Sequence, residues 1–580
     1  MQENIVALLK ENDERNALID DLKKEMDACE KASDAAKTQI MNFMIQEEIW
    51  HIQDLGYEER VKFIEYLARR YGPVSCQRYR DDFDRVKRYG LKCPSRTMMG
   101  NKIWVPPYKQ ETFYLPYHPD DRVVELVNGF ESEDALVWNF SVSASEKMKL
   151  QIYRMIHYIL ESDSIKVTKR RYLTCLNRYY HFCVAQKIED LELVERYQEE
   201  LFYSTLHGKF EQANYRYIVG ICRRELFLHS KKINWDAHVW YLEKFHLQPE
   251  RLNPSGRVDK LSFLAIEDPN NRRLLKEYFR YSIGMTHATI KCLQTELSRI
   301  KQFLIGLEQE SSIDVRDVSR NQIEMYLNQL RGKKLSPGTF NAYLRDLHGF
   351  FLFLQARGHI SNMPFRQEYY MQKCIPYHHN RSIVPDVTKE IMRVLYKLPE
   401  DQRLMFLHLW STGLRVSEVC TLKGNAYFRQ NGDAWIQVYQ IKMRSYKQIP
   451  IPGALYELMQ VYIKKRQISP DAYVFRNTSD GPYRSSVFCG QMKRFFHDND
   501  LQIGEYLFRS HDYRHGVATW FYDSGVSLQG IRDYLGHEYE EMTEQYIDFM
   551  PKRIEQANEE FFEEHNLGSY LRKGVEKYEG

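Results

Sequence analysis

No stretch of the 580-residue chain approaches the roughly 18–20 consecutive apolar residues that a membrane-spanning helix needs. A mean hydropathy of −0.58 agrees with a soluble, globular chain. The first residues, MQENIVALLKENDERN, lack the basic segment and long apolar run of a secretory signal. The ten cysteines, at 29, 76, 93, 175, 183, 222, 292, 374, 420 and 489, contain no CxxC pair. That argues against a zinc finger or a disulfide framework and suits unpaired thiols in a reducing cytosol. A net charge of one sign is missing too: 82 Lys and Arg against 79 Asp and Glu leave only +3.

The near-neutral total hides a strong division. Residues 1–50 hold 6 basic and 12 acidic residues, and residues 531–580 hold 6 and 13. The intervening 51–530 therefore carry 70 basic against 54 acidic residues, a net +16 suited to attracting a polyanion between two acidic ends. At about 150 residues per domain, the length predicts three or four domains.

Residues 3–47 read as one charged helix with a partial heptad seam of Ile5, Leu8, Ile19, Leu22, Met26 and Cys29, interrupted by Asn12 and Arg15. Such a seam fits either a solvated or self-packing helix or an oligomerising coiled coil. Residues 50–140 are mixed, with Tyr- and Pro-rich stretches such as WVPPYK and TFYLPYHPDD. Two segments of one plan follow, at about 145–240 and 270–365. Each has a helical stretch, a long amphipathic helix (VTKRRYLTCLNRYYHFCVAQ; ATIKCLQTELSRIKQFLIGLE), an acidic helix start, and a last amphipathic helix. Apolar residues recurring at three and four, as in Leu293, Leu297, Ile300 and Leu304, predict helical bundles. A linker with Pro364, Pro376, HHNR (378–381) and Pro385 leads into a last domain. That domain starts helical, passes through a β-hairpin (AWIQVYQIK, a turn over 443–445, then YKQIPI), and ends helical.

The last domain concentrates cations and proton-transferring groups: Arg415 in STGLRVSEV, Lys442 at the hairpin, His511 and Arg514 in SHDYRHG, His537 in YLGHEYE, and Tyr546 in MTEQYID. His511 and Arg514 are three apart and share a helix face. Two Arg, one Lys and two His can surround one phosphate, the guanidinium groups forking onto its oxygens as it gains charge. A Tyr among them would be a covalent nucleophile. Taken singly, each of these residues also fits a structural or surface role, and Gly536 could be a plain helix cap.

TGLRVSEV, the hairpin Lys, HDYRH and LGHEYEEMTEQY, in this order, resemble the signature of the tyrosine recombinases, the phage-integrase family. The resemblance covers about 270–550, because SPGTFNAYLRDLHGFFLFLQARGHISNMPF is similar to the family's helical core-binding domain. Matching IPI to the family's usual VPL puts Lys442 at the catalytic hairpin Lys, with Arg444 and Lys447 as secondary candidates. Two features depart from the pattern: Tyr513 replaces the usual Leu of HxLRH, and the first helical repeat exceeds the usual two-domain plan.

The resemblance implies a mainly α fold with a small β-sheet. The expected divisions of the chain are a charged N-terminal helix (1–48), an accessory module (49–140), a core-binding-like repeat (141–260), a core-binding, SAM-like domain (266–365), an α+β integrase-type catalytic domain (383–550) and an acidic tail (551–580). It implies that Tyr546 attacks a scissile phosphate to give a 3′-phosphotyrosyl link and a free 5′-hydroxyl, without ATP, metal or cofactor. Arg415 and Arg514 would stabilise the charged transition state, Lys442 would protonate the leaving oxygen, His511 would act as base or acid, and His537 would donate to the phosphate. Lys169, Arg170, Arg171, Lys333, Lys334, Arg345, Arg444 and Lys447 are candidate phosphate contacts. The tail, with Ile554, Phe561 and Phe562, would pack on a neighbouring protomer. The implied partners are double-stranded DNA, a synaptic tetramer of this chain, and accessory DNA-bending or directionality proteins, in the cytoplasm or on a bacterial nucleoid. The implied activity is site-specific recombination for integration, excision or transposition. The alternatives are a type IB topoisomerase-like nicking-closing enzyme or a catalytically silent DNA-binding accessory protein.

Overall fold

The computed structural model describes residues 2–92, 112–118, 120–130, 136–206, 208–256, 260–311, 314–375, 381, 383, 385–499, 501, 507–544 and 560. The chain divides into two compact units, Met1–Lys244 with Ser262–Glu267, and Phe245–Leu261 with Asp268–Gly580. Among the described residues no helix is long and apolar enough to cross a membrane.

In the first unit the expected single helix over 3–47 is two, α1 (Gln2–Asp27) and α2 (Asp34–Gln46). They share a core with α3 (Tyr57–Ala68) and α4 (Pro73–Lys92), in which Leu22, Met26 and Cys29 meet Phe43, Phe63 and Phe83. The second half of the seam is thus consumed within the chain, because its apolar stripe packs on aromatic residues of its own unit; the Ile5 and Leu8 side chains lie outside the described residues. Strands β1 (Thr112–Tyr114) and β2 (Val137–Asn139) pair antiparallel around α5 (Asp121–Val127).

The first bundle comprises α6 (Glu146–Glu161), α7 (Lys166–Ala185), α8 (Arg196–Ser204) and α9 (Lys209–His229), with a 3-10 turn at Leu191–Leu193 before α8. Short strands β3 (Val239–Tyr241) and β4 (Lys260–Ser262) follow it. The second bundle, in the second unit, repeats the order: α10 (Pro269–Met285), α11 (Ile290–Ser311), a 3-10 turn at Val315–Asp317, α12 (Arg320–Gly332) and α13 (Pro337–Ala356).

Even the polar fastening repeats. Gln151 of α6 accepts from the Leu191 N–H at 2.9 Å, and Asn271 of α10 accepts from the Val315 N–H at 2.8 Å, so each first helix satisfies the start of the 3-10 turn. Helix starts follow from their caps: Asp268 before Pro269, Ser319 in a capping box with Gln322, and Ser336 before Pro337. Leu293, Leu297, Ile300 and Leu304 are buried, as their spacing predicts.

The expected boundary at 260 moves. Residues 245–261 belong with the second unit, where the Arg251 guanidinium donates to the Ile283 and Ala288 carbonyls at 2.7 and 3.0 Å, at the end of α10. Ser255 and Ser485 share a hydroxyl hydrogen bond of 2.7 Å.

The remainder of the second unit is α+β: α14 (Pro385–Val394), α15 (Glu400–Thr412), α16 (Val416–Cys420), then strands β5 (Tyr427–Gln430), β6 (Asp433–Gln440) and β7 (Ser445–Pro450). It closes with α17 (Gly453–Lys465), α18 (Ser485–Asp498), α19 (Ser510–Asp523), α20 (Leu528–Leu535) and α21 (Glu540–Glu544). The hairpin turn falls at 441–444, earlier than expected, and β5 adds a third antiparallel strand. Ala434, Ile436, Val438 and Gln440 of β6 point to the core in strict alternation. Their cross-strand partners Ile449 and Lys447 share that face.

Candidate active site

Two glycine-ended helices build the site. Helix α15 ends at Gly413 with φ 62°, and α20 at Gly536 with φ 69°, both left-handed caps that glycine adopts without strain. Gly413 turns the chain so that Arg415 becomes the N-cap of α16. Its Nη1 pairs with buried Glu418 at 2.8 Å, and the Glu418 carboxylate also accepts from the Arg415 N–H. Gly536 sets His537 immediately past α20.

Arg514, near the start of α19, joins these two corners and is 1% exposed. Its Nη1 donates to the Gly413 carbonyl at 2.9 Å, and its Nη2 to the Leu535 carbonyl at 2.7 Å and to His537 Nε2 at 2.8 Å. A guanidinium only donates, so Nε2 of His537 accepts, and the neutral ring carries its proton on Nδ1, 3.0 Å from Thr543 Oγ1. Burial, followed by the charges of Arg514, Arg415, Lys447 and Lys442, pushes the His537 pKa down to about 3. His511 is shifted down as well, by partial burial of the ring and by Arg514, Arg415, Arg381 and Lys442. Both imidazoles are thus held neutral inside a cationic field.

The hairpin brings Lys442 and Lys447 to the same field in different ways. Lys442 is in the 441–444 turn, at the rim of the site. Lys447 points inward and donates to the Tyr534 and Leu535 carbonyls at 3.0 and 3.1 Å. Burial drives its pKa down to about 7, with Glu418 opposing and Arg514 and Arg415 adding to the shift. Arg444, at φ 56° in the turn, donates to the His287 carbonyl at 2.7 Å. The structure therefore gathers Arg415, Lys442, His511, Arg514 and His537 into one electrostatic neighbourhood; Tyr546 lies outside the described residues, two past the end of α21, as do Ile554, Phe561 and Phe562. Tyr513 packs against Phe406 and Phe508, as a core residue in place of leucine.

Four further residues of the site, Glu418, Arg381, Gln440 and Thr543, are not among those expected from the sequence. Glu418 carries a signal, standing three residues after Arg415 at the N3 position of a capping box. Gln440 does too, as the polar residue that continues the inward parity of β6. Arg381 and Thr543 have none.

The candidate phosphate contacts divide. Lys333, Lys334 and Arg345, on or beside α12 and α13, carry no ion pair with an acidic side chain among the described residues. In the first unit Lys169 donates to the Leu160 carbonyl at 2.7 Å, and Arg170 to the Leu126 carbonyl at 2.9 Å and to that of Asn128. These two side chains close helix C-termini, where orphan carbonyls favour cations. Arg171 reaches Thr168 Oγ1 at 3.3 Å.

Residues 381–553 match the model of the phage integrase family. Transposase B from transposon Tn554 of Staphylococcus aureus is 26% identical over 339 residues, 57% of this chain and 53% of that protein. A tyrosine recombinase of Pseudothermotoga lettingae is 27% identical over 290 residues, 47% of this chain and 93% of that one. This chain spans about half the length of the Tn554 relative it matches. Among solved structures, a XerH site-specific recombinase bound to palindromic difH substrate aligns with a TM-score of 0.39 at 16% identity, over 51% of this chain and 90% of that one. The segment that holds this cluster of arginines and neutral histidines is thus the one that matches the phage integrase family, and the relatives to which the chain is similar include a tyrosine recombinase.

Proposed function

We propose that the chain is a site-specific DNA recombinase of the integrase or transposase type, cutting and rejoining strands through a 3′-phosphotyrosyl link to Tyr546. The observation that carries this is buried Arg514, held by the Gly413 and Leu535 carbonyls and by His537, in one cationic field with Arg415 and neutral His511. Fixed guanidinium groups cost no reorganisation when a phosphate gains charge, and such preorganised donors are where catalysis of this kind gains most.

In the proposed step the Tyr546 hydroxyl oxygen bonds to phosphorus as the bond to the 5′-oxygen breaks. Neutral His511 accepts the tyrosine proton, and Lys442 gives a proton to the leaving oxygen. His537 holds Arg514 while Nε2 accepts; donating to phosphate from that atom requires proton uptake, which an incoming negative charge favours. A 5′-hydroxyl from another strand then reverses the step with exchanged partners. Lys333, Lys334 and Arg345 are the proposed phosphate contacts of the second bundle. In the first, Lys169 and Arg170 reach DNA only by leaving their carbonyls, and Arg171 is the third proposed contact.

Double-stranded DNA and a synaptic tetramer of this chain, acting in the cytoplasm, complete the reading. Its mobile-element setting draws on likeness to the Tn554 transposase. The test is exchange between two differently labelled duplexes carrying element-end DNA, with accessory DNA-bending proteins added in one arm. Recombinant strands are expected; relaxation of supercoils without exchange would point to a topoisomerase, and binding without cleavage to an accessory protein.

A further inference from the structure

The inward face of the hairpin carries two polar residues where the alternation calls for apolar ones. Gln440 ends the inward series of β6 and is 3% exposed; Lys447 stands opposite Val438 on β7, next in parity to buried Ile449. Polar groups drawn inward, as buried Gln440 and half-buried Lys447 are, need partners, and both find them at one place, the C-terminal turn of α20. Gln440 Nε2 donates to the Leu535 and Gly536 carbonyls at 3.3 and 3.2 Å, and Lys447 Nζ to those of Tyr534 and Leu535 at 3.0 and 3.1 Å. These are the orphan carbonyls at the negative end of the helix, where an ammonium is favoured. The approach is so close that a Cβ at Gly536 would collide with the Gln440 amide. Among the described residues the Leu535 carbonyl receives three donors, the third being Arg514.

We propose that Gln440 and Lys447 are positioning residues which clasp the end of α20 to the hairpin and so fix His537, two residues on, against Arg514. The proposal rests on the recombinase reading above, and it takes Lys447 out of the DNA contacts. The clasp ties the strands flanking the Lys442 turn to the His537 turn, so the proposed general acid and the phosphate-binding guanidinium are referenced to one rigid point. Loss of either clasp residue leaves Arg514 its carbonyl on α15 while freeing the His537 turn to shift, and misplacement by about 1 Å costs on the order of 10²-fold in rate.

The test compares full-length wild type with Lys447→Met, Lys447→Arg and Gln440→Met, reading three quantities. Covalent adduct formation on a nicked element-end duplex at saturating DNA is expected to fall about 10²-fold in Lys447→Met and Gln440→Met, and to be partly restored in Lys447→Arg. The dissociation constant for the same duplex should stay within about twofold, and its salt dependence should not change. In long-range nitrogen–proton NMR spectra, the His537 signals, with protonated Nδ1 and bare Nε2 in wild type, should shift or broaden in the two Met variants; this readout needs no activity. A weaker dissociation constant with a shallower salt slope and an unchanged rate at saturation would overturn the proposal and make Lys447 a phosphate contact. Unaltered His537 signals in both Met variants would overturn it as well. Should Lys447→Met not fold, Gln440→Met and Lys447→Arg decide on the same criteria. If wild type forms no adduct on any element-end DNA, the recombinase reading fails, while the NMR comparison still tests the clasp.

Discussion

Arg514 Nη2 lies 2.8 Å from His537 Nε2, with the imidazole as acceptor. One residue thereby fixes the tautomer of the other, and a buried cation is oriented by an uncharged ring that leaves its charge available to a phosphate. Arg514→Lys keeps the charge but cannot span Gly413, Leu535 and His537 together. Adduct formation is expected to drop by about 10²–10³-fold with the DNA dissociation constant changed far less. Single-turnover cleavage at saturating DNA checks this.

The same contact makes stability depend on acid. The folded pKa of His537, about 3, lies below its unfolded value near 6.5. Between those values the unfolded chain binds the extra proton, so stability falls as pH drops from 6.5 toward 3 and is unaffected by this group above 6.5. His537→Gln, which cannot take up that proton, should lose less stability between pH 6.5 and about 4.5 than wild type. Urea denaturation at a series of pH values measures it.

Gly536→Ala meets two penalties, a φ of 69° and collision with Gln440. A cost of about 1–3 kcal/mol is expected from backbone strain alone. Adding Gln440→Ala should remove the collision yet leave that strain, so the double variant should recover only part of the loss. Denaturation midpoints of wild type and the two variants give the comparison.

The bundle cations should separate by salt dependence. Replacing Lys333, Lys334 or Arg345 with Ala is expected to reduce the slope of log K against log salt by about 0.9 for each phosphate that is no longer neutralised. Arg170→Ala should instead lower stability, by about 1 kcal/mol or more, because the carbonyls of Leu126 and Asn128 are left without its guanidinium. Binding titrations from low to physiological salt, beside melting curves, distinguish the two.

The duplicated bundle is legible in the sequence because its signals are local: caps at Asp268, Ser319 and Ser336, and apolar spacing such as Leu293, Leu297, Ile300 and Leu304. The ordered positions Arg415, His511, Arg514 and His537 are legible for the same reason, each standing in its own short context. What escapes local reading depends on distant partners. The stripe of Leu22, Met26 and Cys29 suits a second helix of another chain as well as Phe43, Phe63 and Phe83 of its own, and periodicity does not distinguish them. Lys169 and Arg170 read as free cations until the carbonyls of Leu160 and Leu126 come beside them. Lys447 carries a parity signal opposite Val438, but only its register with β6 shows that it turns away from solvent.

The central claim is nucleophilic attack by Tyr546, and mapping the covalent adduct tests it most directly. Full-length protein is incubated with a suicide duplex nicked beside the cleavage point at an element end, denatured, digested with trypsin and nuclease, and sequenced by mass spectrometry. The account predicts a nucleotide-bearing peptide modified at Tyr546 and no adduct in Tyr546→Phe. An adduct of undiminished yield in Tyr546→Phe, or a modified peptide from elsewhere in the chain, would contradict it.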